Sequence, residues 1–123
     1  MAWLATEPDR LSRPAASAIR RARASDGLAL ADITLWELAF LCSRGTLRIY
    51  GTVENTIKYM VTEAGITLRP ITPEIAALST QFPANYPKDP VDRIIGATAR
   101  AEGMTLITRD ERIRSCPLLK TIW

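Results

Sequence analysis

Apolar and polar residues recur along the chain with two different periods, and glycine and proline mark where one gives way to the other. Ala15, Ile19 and Ala22 fall on one helical face opposite Arg20, Arg21 and Arg23. Ser12 is placed to cap and Pro14 suits a first turn, so the spacing predicts a helix over residues 12–25, stopped by Asp26-Gly27. A short apolar strand follows at residues 28–31 or 28–32 and leads directly into a helix over 34–43, closed by Gly45. From Leu35 to Cys42 this helix is apolar on nearly every side, so burial on several faces is expected; Glu37 is its only charge. A third helix, 52–64, sets Val53, Ile57, Met60, Val61 and Ala64 against Glu54, Asn55, Lys58 and Glu63 and ends at Gly65.

The second half repeats the alternation. Residues 66–69 read as a strand, Thr72-Pro73-Glu74 opens a short helix to residue 80, and 81–90, with three prolines, reads as a surface loop. Asp89-Pro90 starts a helix over 90–102 whose Gly96, Ala97, Ala99 and Ala101 permit close packing, and Gly103 ends it. Residues 104–108 form a strand, 109–115 a turn or short helix, and 120–123 a last short strand. Continuous apolar strands separated by helices imply an α/β fold with a parallel sheet covered on both faces.

Composition narrows the chemistry. A length of 123 residues suits one domain, and 47% apolar with 24% charged residues excludes disordered, collagenous and disulfide-scaffold classes. No apolar stretch approaches the roughly 20 residues that cross a bilayer, and the N-terminus lacks the basic and apolar regions of a signal peptide, so a cytoplasmic location is expected. There is no histidine, and the two cysteines, Cys42 and Cys116, are far apart. A Cys/His zinc site, a Ser-His-Asp triad, a Cys-His dyad and a His-pair nuclease are therefore excluded. The net charge is +3 and thirteen of the sixteen basic residues are arginine, which permits a phosphate-bearing partner without requiring one.

In a layered fold of this kind, strand C-termini and the following helix N-termini share one rim, where ligand sites form. Three acids fall there: Glu37 in the first turn after strand 28–31, Asp92 in the first turn opened by Pro90, and Asp110 just beyond strand 104–108. Each has a purely structural alternative. Glu37 completes a capping box with Thr34, Asp92 complements a helix dipole with Asp89 as the cap, and Asp110 suits a turn or cap. Together they form a repulsive cluster that calls for a cation, and oxygen donors without histidine or cysteine suit Mg2+ or Mn2+. Such a metal activates water and shields a phosphodiester under attack. The cluster alone leaves open a nuclease, a phosphatase or a receiver-type phosphoacceptor.

Three segments, in this order and spacing, resemble the PIN-domain ribonuclease toxins of the VapC type: Leu30-Ala31-Asp32-Ile33-Thr34-Leu35-Trp36-Glu37-Leu38-Ala39, Asp89-Pro90-Val91-Asp92-Arg93-Ile94-Ile95-Gly96-Ala97-Thr98-Ala99, and Thr105-Leu106-Ile107-Thr108-Arg109-Asp110. The likeness extends over nearly the whole chain and favours that family over a receiver domain. It implies a three-layer PIN fold, Mg2+- or Mn2+-dependent cleavage of RNA, a homodimer, and inhibition by a cognate VapB-like antitoxin. By position, Glu37, Asp92 and Asp110 correspond to the family's second, third and fourth acids and would serve as catalytic metal ligands. Asp89 and Thr108 are neighbouring site residues, and Arg93, Arg109 and Arg112 are candidates to contact RNA.

The family pattern also opens with a hydrophobic strand ending in Asp-Thr or Asp-Ser, and this strand is central in the sheet. Met1-Ala2-Trp3-Leu4-Ala5 aligns just after it, and neither Asp9, Asp26 nor Asp32 aligns with the first acid. The expectation is a single PIN domain over 1–123, truncated at its N-terminus relative to that pattern. The strands at 28–31 and 104–108 would then expose facing edges. A start upstream, a decayed toxin, or a gap filled by another segment or chain would each account for this, the upstream start being favoured. A catalytically degenerate domain that binds an antitoxin or RNA without cleaving is the alternative function.

Overall fold

The computed structural model describes residues 11–25 and 27–123. Helix α1 (Arg13–Ala24) starts where Ser12 Oγ accepts the amide of Ala15, and it buries Ala15 and Ile19 while Arg20, Arg21 and Arg23 stay exposed. Strand β1 (Leu28–Ala31) leads into α2 (Ile33–Ser43), which is followed by α3 (Val53–Glu63), capped by Thr52 Oγ1 on the Asn55 amide. Strand β2 (Ile66–Arg69) pairs with β1 in parallel, from Leu28 opposite Ile66 to Ala31 opposite Arg69. Leu30, Leu38, Cys42 and Leu47 form a core cluster against which Val53, Ile57, Met60 and Ile66 pack.

Helix α4 (Pro73–Leu78), capped by Thr72, packs on α5 (Pro90–Glu102), which ends at Gly103 with φ at 63°, the left-handed conformation a glycine adopts without strain. Strand β3 (Leu106–Ile107), helix α6 (Glu111–Arg114) and strand β4 (Thr121–Ile122) complete the order, with β3 and β4 parallel. Tyr86, Ala99, Leu106, Ile113 and Cys116 make the second core cluster. Both cysteines are free and buried.

The α/β class agrees with the sequence reading, and several details correct it. Helix α2 is not buried all round: Trp36 is 56% and Phe40 44% exposed, packed edge to face, with the Arg44 guanidinium over Phe40. The segment read as a surface loop buries Tyr86 and Pro87 almost completely. The strands at 104–108 and 120–123 shorten to two residues each.

Among the described residues, β1–β2 and β3–β4 are separate two-stranded sheets. A groove of about 930 Å3 lies between them, with β1 on one wall and Leu106 and Ile107 on the other, floored in part by Ile95 and Thr98 of α5.

A candidate acidic site

Asp92 sits in the first turn of α5, whose start is fixed by Pro90 and by Asp89 Oδ1 accepting the Val91 amide at 2.8 Å. Its half-buried carboxyl is pushed up to about 6, chiefly by loss of solvent and then by the charges of Asp89, Glu37 and Asp110, with Arg112 opposing. Glu37, in α2, is also raised, by burial first, with Asp89 adding to it. The fold thus brings Asp89, Glu37 and Asp110 within electrostatic reach of Asp92.

The local setting of each acid differs from expectation. The capping box of Thr34 and Glu37 is not formed. The Asp32 amide donates to the Arg69 carbonyl, so β1 pairing runs to the edge of α2, the helix begins at Ile33, and Thr34 falls inside its first turn. Thr34 is 0% exposed and its Oγ1 has no partner. Asp110 does act as a cap: its Oδ1 accepts the amides of Arg112 at 2.8 Å and Ile113 at 3.3 Å, and Oδ2 lies 3.3 Å from Arg112 Nη2. Thr108 Oγ1 accepts the Asp110 amide at 3.2 Å, while the Thr108 amide donates to Ile122, which ties this acid to the end of the β3–β4 pair.

Of the three arginines considered for RNA, Arg112 engages a site acid, Asp110. Arg93 is partly buried and donates to the Ser79 carbonyl at 3.3 Å, locking α4 to α5, and Arg109 is exposed. Sequence reasoning overlooked Tyr86, which is 2% exposed and whose hydroxyl donates to the Asp92 backbone carbonyl at 2.6 Å. A buried aromatic six residues before an acid, with a glycine one turn after that acid, was the available signal.

A cation at this site would meet hard oxygen donors, and the carboxyls of Asp92 and Glu37, raised first by burial and then by neighbouring acids, lack a sufficient counter-charge. In kind, the donors fit Mg2+ or Mn2+. In spacing they stop short: among the described residues, no group of three acids or thiols closes on a common point.

Parallel strands alternating with helices, and acids gathered where helices begin, define a class of α/β domain that the PIN-domain family model matches over residues 1–117. The chain belongs to the PIN-domain family. Within it, the chain is of the VapC type: it is 37% identical over 123 residues to Ribonuclease VapC22 of Mycobacterium tuberculosis, covering 98% of this chain and 91% of that protein. Among solved structures, the crystal structure of VapBC2 from Rickettsia felis bound to a promoter DNA fragment shares the fold, with a TM-score of 0.65 at 16% identity over 87% of this chain and 82% of that one.

Proposed function

We propose that this protein is an endoribonuclease toxin of a type II toxin–antitoxin pair, hydrolysing RNA phosphodiester bonds with Mg2+ or Mn2+ in the cytoplasm. The observation that carries the reading is the half-buried Asp92 carboxyl facing the charges of Asp89, Glu37 and Asp110, in a chain similar over nearly its whole length to a named ribonuclease. Glu37, Asp92 and Asp110 would hold the metal, and Asp110 would do so by giving up one of its cap bonds. Bound there, a divalent cation supplies an activated water and charge neutralisation at the phosphate. Arg112 and Arg109 flank the acid at the end of β3 and are proposed to meet the RNA backbone, whereas Arg93 serves structure first. A homodimer and an inhibiting VapB-like antitoxin complete the proposal, the latter supported by the VapBC complex that shares this fold.

The groove between β1 and β3 supports a further part of the reading: among the described residues no strand pairs there, and an apolar strand ending in an acid would complete both the sheet and the site. The test is RNA cleavage with Mg2+ or Mn2+ by this chain and by a version extended upstream. Little or no cleavage by the first, cleavage by the second, and loss of that cleavage in Asp92→Asn and Glu37→Gln are expected. Robust metal-dependent cleavage by the unextended chain would show that the first acid is dispensable. The cap bonds of Asp110 favour a second reading, a domain that binds antitoxin or RNA without cutting. Failure of the extended chain to cleave while still binding RNA or an antitoxin would select it.

A further inference from the structure

The Tyr86 ring lies flat on Phe82, with centroids 4.0 Å apart and planes 15° apart, and the opposite side of Phe82 is covered by the Arg100 guanidinium at 5.2 Å. Arg100 also donates to the Gln81 carbonyl at 2.8 Å, and the Tyr86 amide donates to Pro83, so the whole loop is strapped to α5. The Tyr86 hydroxyl ends against the helix itself. In an α-helix the Asp92 carbonyl takes the amide of residue 96; the hydroxyl is its second donor. It reaches that carbonyl only because residue 96 is glycine, since a Cβ there would collide with Tyr86 Oη and with the Phe82 ring. Burial, followed by the charges of Asp92, Cys116 and Asp110, pushes the phenol further up, so it remains a donor at any ordinary pH.

The same ring belongs to the cluster holding Ile113 of α6, the helix that Asp110 caps. One side chain therefore touches the element carrying Asp92 and packs with the element carrying Asp110. Carboxylates pressed together tend to splay, and a tie on the backbone of one of them opposes that. We propose that Tyr86 is a positioning residue: through the Asp92 carbonyl and the packing of α6, it holds Asp92 at its working distance from Asp110. This rests on the reading of Asp92 as a site acid.

The test uses the full chain and two variants. Tyr86→Phe deletes the hydrogen bond and keeps the ring, whereas Phe82→Leu loosens the same packing and keeps the hydroxyl. Mn2+ is titrated against each, and the backbone amide signals of residues 92 and 110 are followed by NMR line broadening in the metal-free proteins. Tyr86→Phe is expected to weaken Mn2+ about tenfold, as loss of a ligand's supporting bond does. It should also broaden the signals of residues 92 and 110 as the tie between their elements loosens, while Phe82→Leu, at similar thermal stability, changes neither. Unchanged signals in Tyr86→Phe would overturn the proposal. So would equal losses in both variants, which would show packing alone at work. Absence of Mn2+ binding to the parent counts against the metal reading of the site, and the positioning role then stands or falls on those two signals.

Discussion

Because Asp92 is pushed up to about 6 in the folded chain and returns to an ordinary carboxylate value on unfolding, the native state keeps a proton that the unfolded state releases between about pH 4 and pH 6. The raised value makes the sign unambiguous: this contribution to stability is full below about pH 4 and is lost as the pH rises through 6. Replacing the carboxylate by a neutral isostere removes the conflict. Asp92→Asn is expected to raise the Tm of the metal-free protein at pH 7 by a few degrees, on the order of 1–2 kcal/mol after allowance for its open side, and to leave it unchanged at pH 4. Calorimetry at both pH values decides this, and an unchanged or lower Tm at pH 7 would mean that the Asp92 charge costs the folded state nothing. The acids themselves were legible in the sequence, since helix starts and strand ends are announced by local signals such as Asp89-Pro90 and Thr108. The role of Thr34 was not. Whether it caps a helix or is buried inside one depends on how far β1 pairs with β2, and the bond from Asp32 to Arg69 spans a separation no local pattern reveals.

At the scale of elements, α5 shows why small residues were placed where they are. The run of Gly96, Ala97 and Ala99 signalled close packing, and all three are buried. What the run left open was the neighbour at Gly96, which is a tyrosine from the preceding loop. Alanine is intrinsically better than glycine inside a helix by roughly 1 kcal/mol, so an exposed position would gain from the exchange. Gly96→Ala is expected to do the opposite and lower stability by about 1–3 kcal/mol, because the added methyl displaces both Tyr86 and Phe82. Chemical denaturation measures the outcome, and a stabilised variant would mean that the loop yields at no cost. Helix α2 was misread for the complementary reason. Its lack of polar positions suggested burial all round, yet Trp36 and Phe40 cover each other and Arg44 at the surface. Aromatic bulk at helical spacing does not by itself say which side faces the core.

For the molecule as a whole, the decisive feature is the direction in which β1 and β3 point their backbones. The Asp32 amide donates to Arg69 of β2, and in a strand alternate residues face the same neighbour, so Leu28 and Leu30 serve β2 while Ala29 and Ala31 present their amides and carbonyls to the groove. On the other side, the amides of Leu106 and Thr108 donate to Lys120 and Ile122, which leaves Ile107 facing the groove from β3. Among the described residues no strand pairs with either edge. Backbone groups of this kind are costly inside a protein unless a partner or water reaches them, and a parallel sheet is stable only when its inner strands are paired. Hydrogen exchange reads this residue by residue. In the chain as given, the amides of Ala29, Ala31 and Ile107 are expected to exchange faster than those of Leu30 and Leu106. Extending the N-terminus by an apolar strand that ends in Asp is expected to slow the first group to the level of the second and to raise the Tm by roughly 5 °C or more, as several new hydrogen bonds form together. If Ala29, Ala31 and Ile107 are already protected without the extension, something within the 123 residues pairs with them, and the groove is not a place kept for an added strand.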